Sequence, residues 1–303
     1  MSRFNVVAAR LHTRVNARRR FWLLGLLACA TVGCVSAGQK GATDLGSAAG
    51  GPVAATASGD AVALDGTNWI SVAKTGNYVP ATGFTLEAWF NGASLPTDAT
   101  SSRDDGALNG QMLFVVADGQ SCVDISLGFG GTNRPPAELA FTVDGPAGCG
   151  TRDTAPVHYR PTEGFHNQRW YHVAGVRDYV AQSVGLYVDG VLVDSKADTT
   201  APVAGAGFTA SIGRWSDGGF DVAHFVGAID EVRVYGRPLS AAEIGQHFNG
   251  GAGRAGDRTD PGLVAGWHLD ETKGTVASDY GAGHLDGMYV NSPAHAPGIV
   301  GRP

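Results

Sequence analysis

Short runs of alternating apolar and polar residues recur along the chain between about residues 60 and 250. In "FTLEAWF", Phe84, Leu86, Ala88 and Phe90 fall on one face of a strand, because side chains in a strand alternate with a period of two. Similar runs are "NWISVAK", "MLFVVAD", "VDISLGF", "ELAFTVD", "RWYHVAGVRD" and "TASIGRW". Short turns, not helical segments, separate these runs, and this spacing predicts an all-β fold, an antiparallel sandwich or barrel.

Two local signals are more specific. Asp189-Gly190 lies between two alternating runs, which is the strongest short signal for a β-hairpin. Ser240, followed three residues later by Glu243, forms a capping box and predicts a helix over about residues 240–248. Ile244 and the aromatic residue four positions later then give this helix an apolar stripe that can lie on the sheets.

Composition narrows the class of protein. The 303 residues include 43% hydrophobic residues, enough for a packed core, and 45 glycines that recur between the apolar runs, as in a protein of many strands joined by tight turns. The formal net charge of −6 argues against nucleic acid as a partner.

The first 34 residues predict an export signal. Several arginines precede the apolar run "FWLLGLLACATVG", which is too short to span a bilayer. The next residues, "TVGC", resemble a bacterial lipobox, which would make Cys34 the lipidated first residue of the mature protein; a plain cleaved signal peptide is the alternative. We therefore expect an exported protein of the bacterial cell envelope, anchored by lipid to the outer membrane, or a secreted one. Residues 35–59 are almost all small and predict a flexible linker.

Two cysteines remain in the body of the protein. Because thiols of exported proteins usually pair, we expect a disulfide between Cys122 and Cys149, and two separate buried thiols are the alternative.

Five stretches, in this order, resemble the laminin-G-like, concanavalin A-like jelly rolls of bacterial secreted proteins. They are "ALDGTNWISV" (63–72), "FTLEAWF" (84–90), "WYHVAGV" (170–176), "GLYVDGVLV" (185–193) and "GAIDEVRVYGRPLSAAEI" (227–244). The resemblance implies one jelly-roll domain over residues 60–250, a sandwich of two antiparallel sheets with one short helix near residues 240–248.

The C-terminal segment, residues 258–303, departs from the usual order of this family. It contains "GLVAGWHLDETKGTVASDYGAGHLDG" (262–287), which resembles the stretch that usually opens the domain. About 45 residues are too few for a second sandwich, so we expect the segment to pack on the first one and to take the place of the opening strand. A truncated second repeat or a loose tail is the alternative.

Asp230 and Glu231 lie side by side in "FVGAIDEVRVY". If residues 225–235 form a regular strand, the two carboxylates point to opposite sides of the sheet and cannot flank one glycosidic bond. Glu231 and Arg233, two residues apart on one face, are expected to form an exposed ion pair. No catalytic residue is therefore predicted.

In the same regular strand, Asp230 shares its face with Val226, Val232 and Val234 and is expected to point inward. A buried carboxylate is too costly to keep without partners, which are either hydrogen-bond donors or a cation. The resemblance makes Ca²⁺ the expected cation, bound structurally by carboxylate and carbonyl oxygens. The loop "SDGGFD" supplies two further candidate ligands, Asp217 and Asp221, and an ordinary solvated loop is the alternative for these two.

We predict a non-catalytic module that binds a glycan or a protein outside the cytoplasm. Glycan binding calls for aromatic rings that stack on sugar faces, and Trp69, Tyr78, Trp215 and Phe220 lie next to predicted loops. The alternative for Trp69 and Trp215 is a place in the core. A structural or adhesin-like envelope lipoprotein without glycan binding is the second hypothesis, and a glycoside hydrolase is the least favoured one.

Overall fold

A computed structural model describes residues 59–99, 110–117, 124–130, 135–143, 157–202, 207–217 and 220–300. The predicted signal peptide with Cys34, and the predicted disulfide partners Cys122 and Cys149, lie outside the described residues, so what we expect of them stays a prediction.

The described residues form eighteen strands, one α-helix and one 3₁₀ turn, Asn249–Gly251. The strands are β1 Asp60–Asp65, β2 Trp69–Gly76, β3 Gly83–Gly92, β4 Gln111–Ala117, β5 Asp124–Phe129, β6 Leu139–Val143, β7 Val157–Tyr159, β8 Trp170–Asp178, β9 Ser183–Val188, β10 Val191–Ala197, β11 Phe208–Ile212, β12 Trp215–Asp217, β13 Phe220–Val222, β14 Val226–Tyr235, β15 Leu263–Trp267, β16 Val276–Ala277, β17 Gly287–Val290 and β18 Ala294–Pro297. The helix α1 is Ala241–Phe248.

Two large sheets face each other. Sheet I has the strand order β10–β9–β8–β3–β14–β1–β18, and β15 also pairs with β14. Sheet II has the order β16–β17–β2–β11–β4–β5–β6–β7, and β12 pairs with β13 in a separate hairpin. The paired strands are antiparallel. This arrangement confirms the predicted two-sheet sandwich.

The main core lies between the two sheets. Phe84, Leu86, Ala88 and Phe90 of β3 are 0% exposed and point into it, as the alternation predicts. Phe90 packs edge-on against Phe129 of sheet II, with 5.4 Å between the ring centroids. The other face of β3 is buried as well, because later segments of the chain cover the outside of sheet I.

The predicted hairpin and helix are present. Asp189 and Gly190, with φ of 50° and 77°, join β9 to β10, and both angles lie in the left-handed region that such a turn requires. In α1, the side chain of Ser240 accepts from the amide of Glu243, and the carboxylate of Glu243 accepts from the amide of Ser240. Ile244 is buried against the outside of sheet I. Within the described ranges, no helix has the length and apolar character needed to cross a membrane.

Strand β14 is not regular, and this corrects the expected placement of its acids. Asp230 pairs with Trp89 and Arg233 with Glu87, so three steps along β14 match two steps along β3. Glu231 adopts φ of 49°, which marks a β-bulge at this point.

The bulge puts both acids on the same side of sheet I. Ile229, Val232 and Val234 belong to the main core, whereas Asp230 and Glu231 point outward. The prediction that the two carboxylates lie on opposite faces is therefore wrong. The prediction that Asp230 points inward among the valines is wrong for the same reason.

The C-terminal segment contributes strands to both sheets. In sheet I, β15 pairs with β14 and β18 pairs with β1, while in sheet II β17 pairs with β2. Trp267 and Leu269 are 0% exposed in the main core.

Candidate functional site

The outward face of sheet II carries small side chains in its middle strands. The strand register aligns Met288 of β17, Ser71 of β2, Ser211 of β11, Val115 of β4 and Ser126 of β5 in one row across the sheet. The neighbouring row points into the main core, so this row faces away from it. Hydroxyl groups thus lie side by side on this face.

A groove runs over these small residues. It has a volume of about 150 Å³, and its outward-facing lining consists of Ser71, Ala73, Val115, Thr209 and Ser211. We call it the sheet II groove. Its lining combines hydroxyl groups with apolar surface, and it contains no charged side chain within the described part of the chain.

Larger apolar side chains border the groove. On one side lie Met288 and its cross-strand neighbour Val276, which are 48% and 39% exposed. On the other side, Trp215 of the β12–β13 hairpin packs against Val115 and Met112 on the outside of β4. Three strand spacings separate β17 from β4, which is about 14 Å.

The hairpin is fixed to β4 by its C-terminal end. The amide of Met112 donates to the carbonyl oxygen of Ala223 at 2.8 Å, and Ala223 is buried against Val115. Inside the groove, the hydroxyl of Ser211 donates to the carbonyl oxygen of Arg214 at 3.0 Å. These contacts hold Trp215 beside the groove.

Trp69 lies beside one end of the groove, next to Ser71 along the outward face of β2. It lies two residues before Ser71 in β2 and therefore on the same face. The guanidinium carbon of Arg214 lies 3.9 Å from the centroid of the Trp69 ring, and His224 packs against that ring edge-on at 5.7 Å. Oδ1 of Asp221 lies 2.7 Å from Nη1 of Arg214 and 2.8 Å from Nε2 of His224. Partial burial raises the pKa of Asp221, but the hydrogen bonds and charge interactions of Arg214 and His224 outweigh it and hold the pKa below its ordinary value.

The structure brings two of the predicted ligand-binding residues together. Trp69 and Trp215 are half-buried and border the same groove, so each is partly packed and partly accessible. Tyr78 is 0% exposed in the main core, so the expectation that its ring stacks on a ligand is wrong. The backbone of Phe220 pairs with Asp217 in the hairpin, and the side chains of these two residues lie outside the described part.

The hydroxyl lining was not among the predicted site residues. Its signal in the sequence is weak: "ISVA" and "TASI" alternate small polar residues with core residues, which is also typical of any half-exposed strand. Only the pairing of β2 with β11 places Ser71 beside Ser211.

The outward face of sheet I is different, because it carries a buried charge network. Glu87 of β3 is at its centre and is 1% exposed. Its Oε1 lies 2.8 Å from Nη1 of Arg233 and 3.0 Å from Nε2 of His172, and its Oε2 lies 2.8 Å from Nδ1 of His247 in α1. Burial raises the pKa of Glu87, but the charges and hydrogen bonds of these partners outweigh it and hold the pKa well below its ordinary value.

Glu231 extends this network to the C-terminal segment. Its Oε2 lies 2.7 Å from Nη2 of Arg233 and accepts from the amide of Gly256, and its Oε1 lies 2.7 Å from Nδ1 of His268. Glu231 is 3% exposed and Arg233 is 0% exposed. The ion pair between these two residues is thus present, but the expectation that it is exposed is wrong.

Burial also limits what Glu231 can do chemically. Although burial raises its pKa, His268 and Arg233 outweigh this effect and keep the pKa of Glu231 below its ordinary value. Glu231 and Glu87 are thus charged, hydrogen-bonded and covered by protein. Their contacts join sheet I to the segments that lie over it.

Acidification is expected to destabilise the protein through Glu87 and Glu231. In the unfolded chain a glutamate has a pKa of about 4.3, and folding lowers both values. Their stabilising contribution is therefore complete above about pH 4.3 and is lost as the pH falls through the lower pKa values of the folded state. Thermal unfolding measured from pH 7 down to pH 3 should show the melting temperature falling below about pH 4.5.

Asp230 acts in the opposite direction, because folding raises its pKa. Asp230 therefore contributes to the free energy of unfolding at pH values below its pKa in the unfolded chain, about 3.9. This contribution is lost as the pH rises through the higher pKa of the folded protein. As the pH falls, two glutamates lose their stabilising contribution and one aspartate gains its own, so the net effect of acid is to destabilise the protein. The variant Glu231→Gln should show a shallower fall in melting temperature with falling pH than the wild type. Equal falls in the two proteins would show that this charge network does not cause the loss of stability in acid.

Asp230 itself is bound by backbone amides. Its Oδ2 accepts from Ile299 at 2.9 Å and from Val300 at 3.5 Å, and these two residues pack on Trp89 over the outside of sheet I. Burial raises the pKa of Asp230 well above its ordinary value, and the nearby charge of Glu231 adds to this effect. Of the two expected kinds of partner, the structure shows hydrogen-bond donors.

The three predicted calcium ligands do not form one site. Asp230 lies outside sheet I and Asp221 lies in the hairpin outside sheet II, with the main core between them. Oδ1 of Asp221 is already engaged by Arg214 and His224, and the side chain of Asp217 is not described. Among the described residues, no three or more His, Cys, Asp or Glu side chains are grouped so as to hold a metal ion. These residues do not fit a shared Ca²⁺ ion, and calcium binding stays a prediction.

The sandwich and its two outer faces define a jelly-roll protein, and sequence comparison names its family. Residues 64–245 match the family model of the concanavalin A-like lectin/glucanases superfamily. The chain therefore belongs to this superfamily. A search of curated protein sequences finds no match.

Solved structures share the fold at low sequence identity. One is a candidate carbohydrate-binding protein from Bacteroides ovatus, with 21% identity and a TM-score of 0.54 over 80% of this chain. The match spans 60% of that protein's chain.

Two smaller similarities lie in carbohydrate-associated domains. The CBM40 domain of the Ruminococcus gnavus IT-sialidase, bound to α2,3-sialyllactose, is 14% identical with a TM-score of 0.46, and the match covers 61% of this chain and 95% of that one. Domain 4 of the arabinanase AbnA from Geobacillus stearothermophilus, in complex with arabinotriose, is 19% identical with a TM-score of 0.43, and the match covers 61% of this chain and 75% of that one.

Proposed function

We propose that this protein is a non-catalytic carbohydrate-binding module and that the sheet II groove is its binding site. The observation that carries the proposal is the combination of a hydroxyl-bearing floor with half-buried tryptophans at its border, Trp215 on one side and Trp69 at one end. Hydroxyl groups can both donate to and accept from sugar hydroxyls, and an indole ring can pack on the apolar face of a sugar. The superfamily to which the chain belongs is named for lectins, which bind carbohydrates, and for glucanases, which hydrolyse them.

The absence of catalysis is part of the proposal. Asp230 and Glu231 lie on the same side of sheet I, so their placement on the sheet does not prevent them from acting as a pair. However, they are only 1% and 3% exposed. Each is also occupied by amides, a guanidinium or a histidine. General acid–base chemistry on a glycan needs carboxyl groups within reach of the glycosidic bond, and neither of these is accessible to one.

Export and lipid anchoring at Cys34 would place this module at the outer surface of the cell, where glycans are accessible. That location is part of the proposal and rests on the leader sequence alone.

The proposal predicts that Trp215→Ala weakens glycan binding. A panel of immobilised oligosaccharides and polysaccharides identifies a ligand, and titration calorimetry then measures its affinity. Truncating a tryptophan that packs on a bound ligand costs about 2 kcal/mol or more, so we expect a loss of about 30-fold or more in affinity.

A matched control is Trp170→Ala. Trp170 is also half-buried, but it packs outside sheet I, on the opposite side of the sandwich. It should keep the affinity of the wild type. Binding of no glycan, together with capture of a single envelope protein, would favour the structural hypothesis, and the release of reducing sugars from a bound glycan would favour the hydrolase.

A further inference from the structure

We infer that the sheet II groove selects neutral glycans and contacts only a short stretch of the sugar chain; this inference rests on the proposed function. It goes further, because it assigns the chemical class of the ligand from the lining of the groove. The outward-facing lining, Ser71, Ala73, Val115, Thr209 and Ser211, offers hydroxyl groups and apolar surface.

Charge is the first reason. A sialylated, uronic or sulfated sugar brings a carboxylate or sulfate that must be paired when it leaves water, because an unpaired buried charge is strongly unfavourable. Among the described residues, the groove lining supplies no cation for this role. The nearest described guanidinium at its border, that of Arg214, lies on the Trp69 ring and is bound by Asp221 at 2.7 Å, so its charge is already balanced.

Size is the second reason. A volume of about 150 Å³ is well below the roughly 300–1,000 Å³ of pockets that enclose a whole small ligand. The groove therefore holds part of a longer molecule and leaves the rest in solvent. Met288 on β17 and Trp215 beside β4 provide apolar surface on the two sides of the groove, and the backbones of these two strands lie about 14 Å apart.

The composition of the floor is the third reason. Ser71 and Ser211 are directly paired across β2 and β11, and Thr209 lies two residues from Ser211 on the same face. Ser71 and Thr209 can both donate and accept, and Ser211, whose hydroxyl donates to the carbonyl oxygen of Arg214, can still accept. This floor suits a ligand that is itself rich in hydroxyl groups.

The test compares neutral and acidic oligosaccharides on the full chain. We expect neutral oligosaccharides to bind, with an affinity that changes less than about twofold between roughly 50 and 500 mM salt, because the described lining of the groove offers no charge to be screened. We also expect Ser71→Asp to weaken this binding about tenfold or more, since it replaces a hydroxyl group that can donate with a larger carboxylate that can only accept and that must lose its water on binding.

Ser195→Asp is the matched control. Ser195 is exposed on β10, the edge strand of sheet I, so the same substitution there should leave the affinity unchanged. Both variants should keep the melting temperature of the wild type to within a few degrees, which separates lost binding from lost folding.

The outcomes distinguish this inference from the proposed function. If only acidic oligosaccharides bind, with salt-dependent affinity and with loss in Trp215→Ala, the groove is a glycan site but the inference of a neutral ligand is wrong. If neutral glycans bind and Ser71→Asp has no effect, the ligand lies elsewhere and the inference is also wrong. If no glycan of either class binds, the proposed function and the inference both fail.

Discussion

Replacing Arg233 with methionine is expected to lower the free energy of unfolding by about 3–5 kcal/mol. The guanidinium of Arg233 is 0% exposed and lies 2.8 Å from Glu87 and 2.7 Å from Glu231. Methionine fills much of the same volume but leaves both carboxylates buried without their cation. The desolvation cost of each carboxylate then remains, while most of the attraction that offset it is lost.

Urea unfolding of the wild type and the variant measures this loss. Arg237→Met is the matched control, because Arg237 forms an ion pair with Glu243 that is about one-third exposed on each side. Exposed ion pairs contribute about 0–1 kcal/mol, so the control should lose far less stability. Equal losses in the two variants would contradict a special role for the buried network.

A double-mutant cycle isolates the interaction between Arg233 and Glu87. We expect the variant Arg233→Met with Glu87→Gln to be more stable than the sum of the two single losses predicts, because it removes one of the stranded charges together with its partner. Strict additivity would show that the two groups do not interact in the folded protein.

The architecture could be predicted because it depends on local patterns. Phe84, Leu86, Ala88 and Phe90 alternate in the sequence and all point into the core, and the Asp189-Gly190 turn and the capping box of α1 occur where their residue types require them. Each of these features is set by a few neighbouring residues, so a single sequence is sufficient to find it.

The bulge at Glu231 could not be predicted in this way. A regular strand and a bulged strand can share the sequence "AIDEVRV", and only the pairing with β3 shows that two residues of β14 oppose one. The error affects the residues before the bulge, because one extra residue exchanges the two faces of a strand. Ile229 takes the inward position that Asp230 was expected to hold, whereas Val232 and Val234 point inward as predicted. The burial of Glu231 and Arg233 has a separate cause.

The burial of the charges on sheet I also needed the structure. Sequence patterns assign one face of a strand to the core and the other to solvent, but here α1 and the C-terminal segment cover the second face. Glu87 thus lies under a helix that follows it by about 150 residues. In the same way, the sheet II groove depends on the hairpin that places Trp215 over β4, a contact that no local pattern encodes.

Ending the chain at residue 257 is expected to unfold the domain. The removed segment supplies β15 to β14, β17 to β2 and β18 to β1, so three strands would lose a hydrogen-bonded neighbour and become exposed edges. Trp267 and Leu269 are 0% exposed, and burial of each side chain is worth about 1.5–3 kcal/mol. Those two residues alone account for about 3–6 kcal/mol, which is close to the lower part of the usual range of 5–15 kcal/mol for whole domains.

Circular dichroism and urea unfolding of the shortened chain test this expectation, and two point variants in the full chain refine it. Trp267→Ala should cost about 3–5 kcal/mol, because it leaves a cavity beside Phe114 in the main core. Met288 lies in the same segment, but its side chain is 48% exposed. Met288→Ala should therefore change the free energy of unfolding by no more than about 0.5 kcal/mol, while glycan affinity falls. A shortened chain that unfolds cooperatively at the urea midpoint of the full chain would show that the segment is dispensable for folding. In that case Trp267→Ala would also have to be harmless, and a fully buried tryptophan that contributes no stability would contradict the packing described for this core.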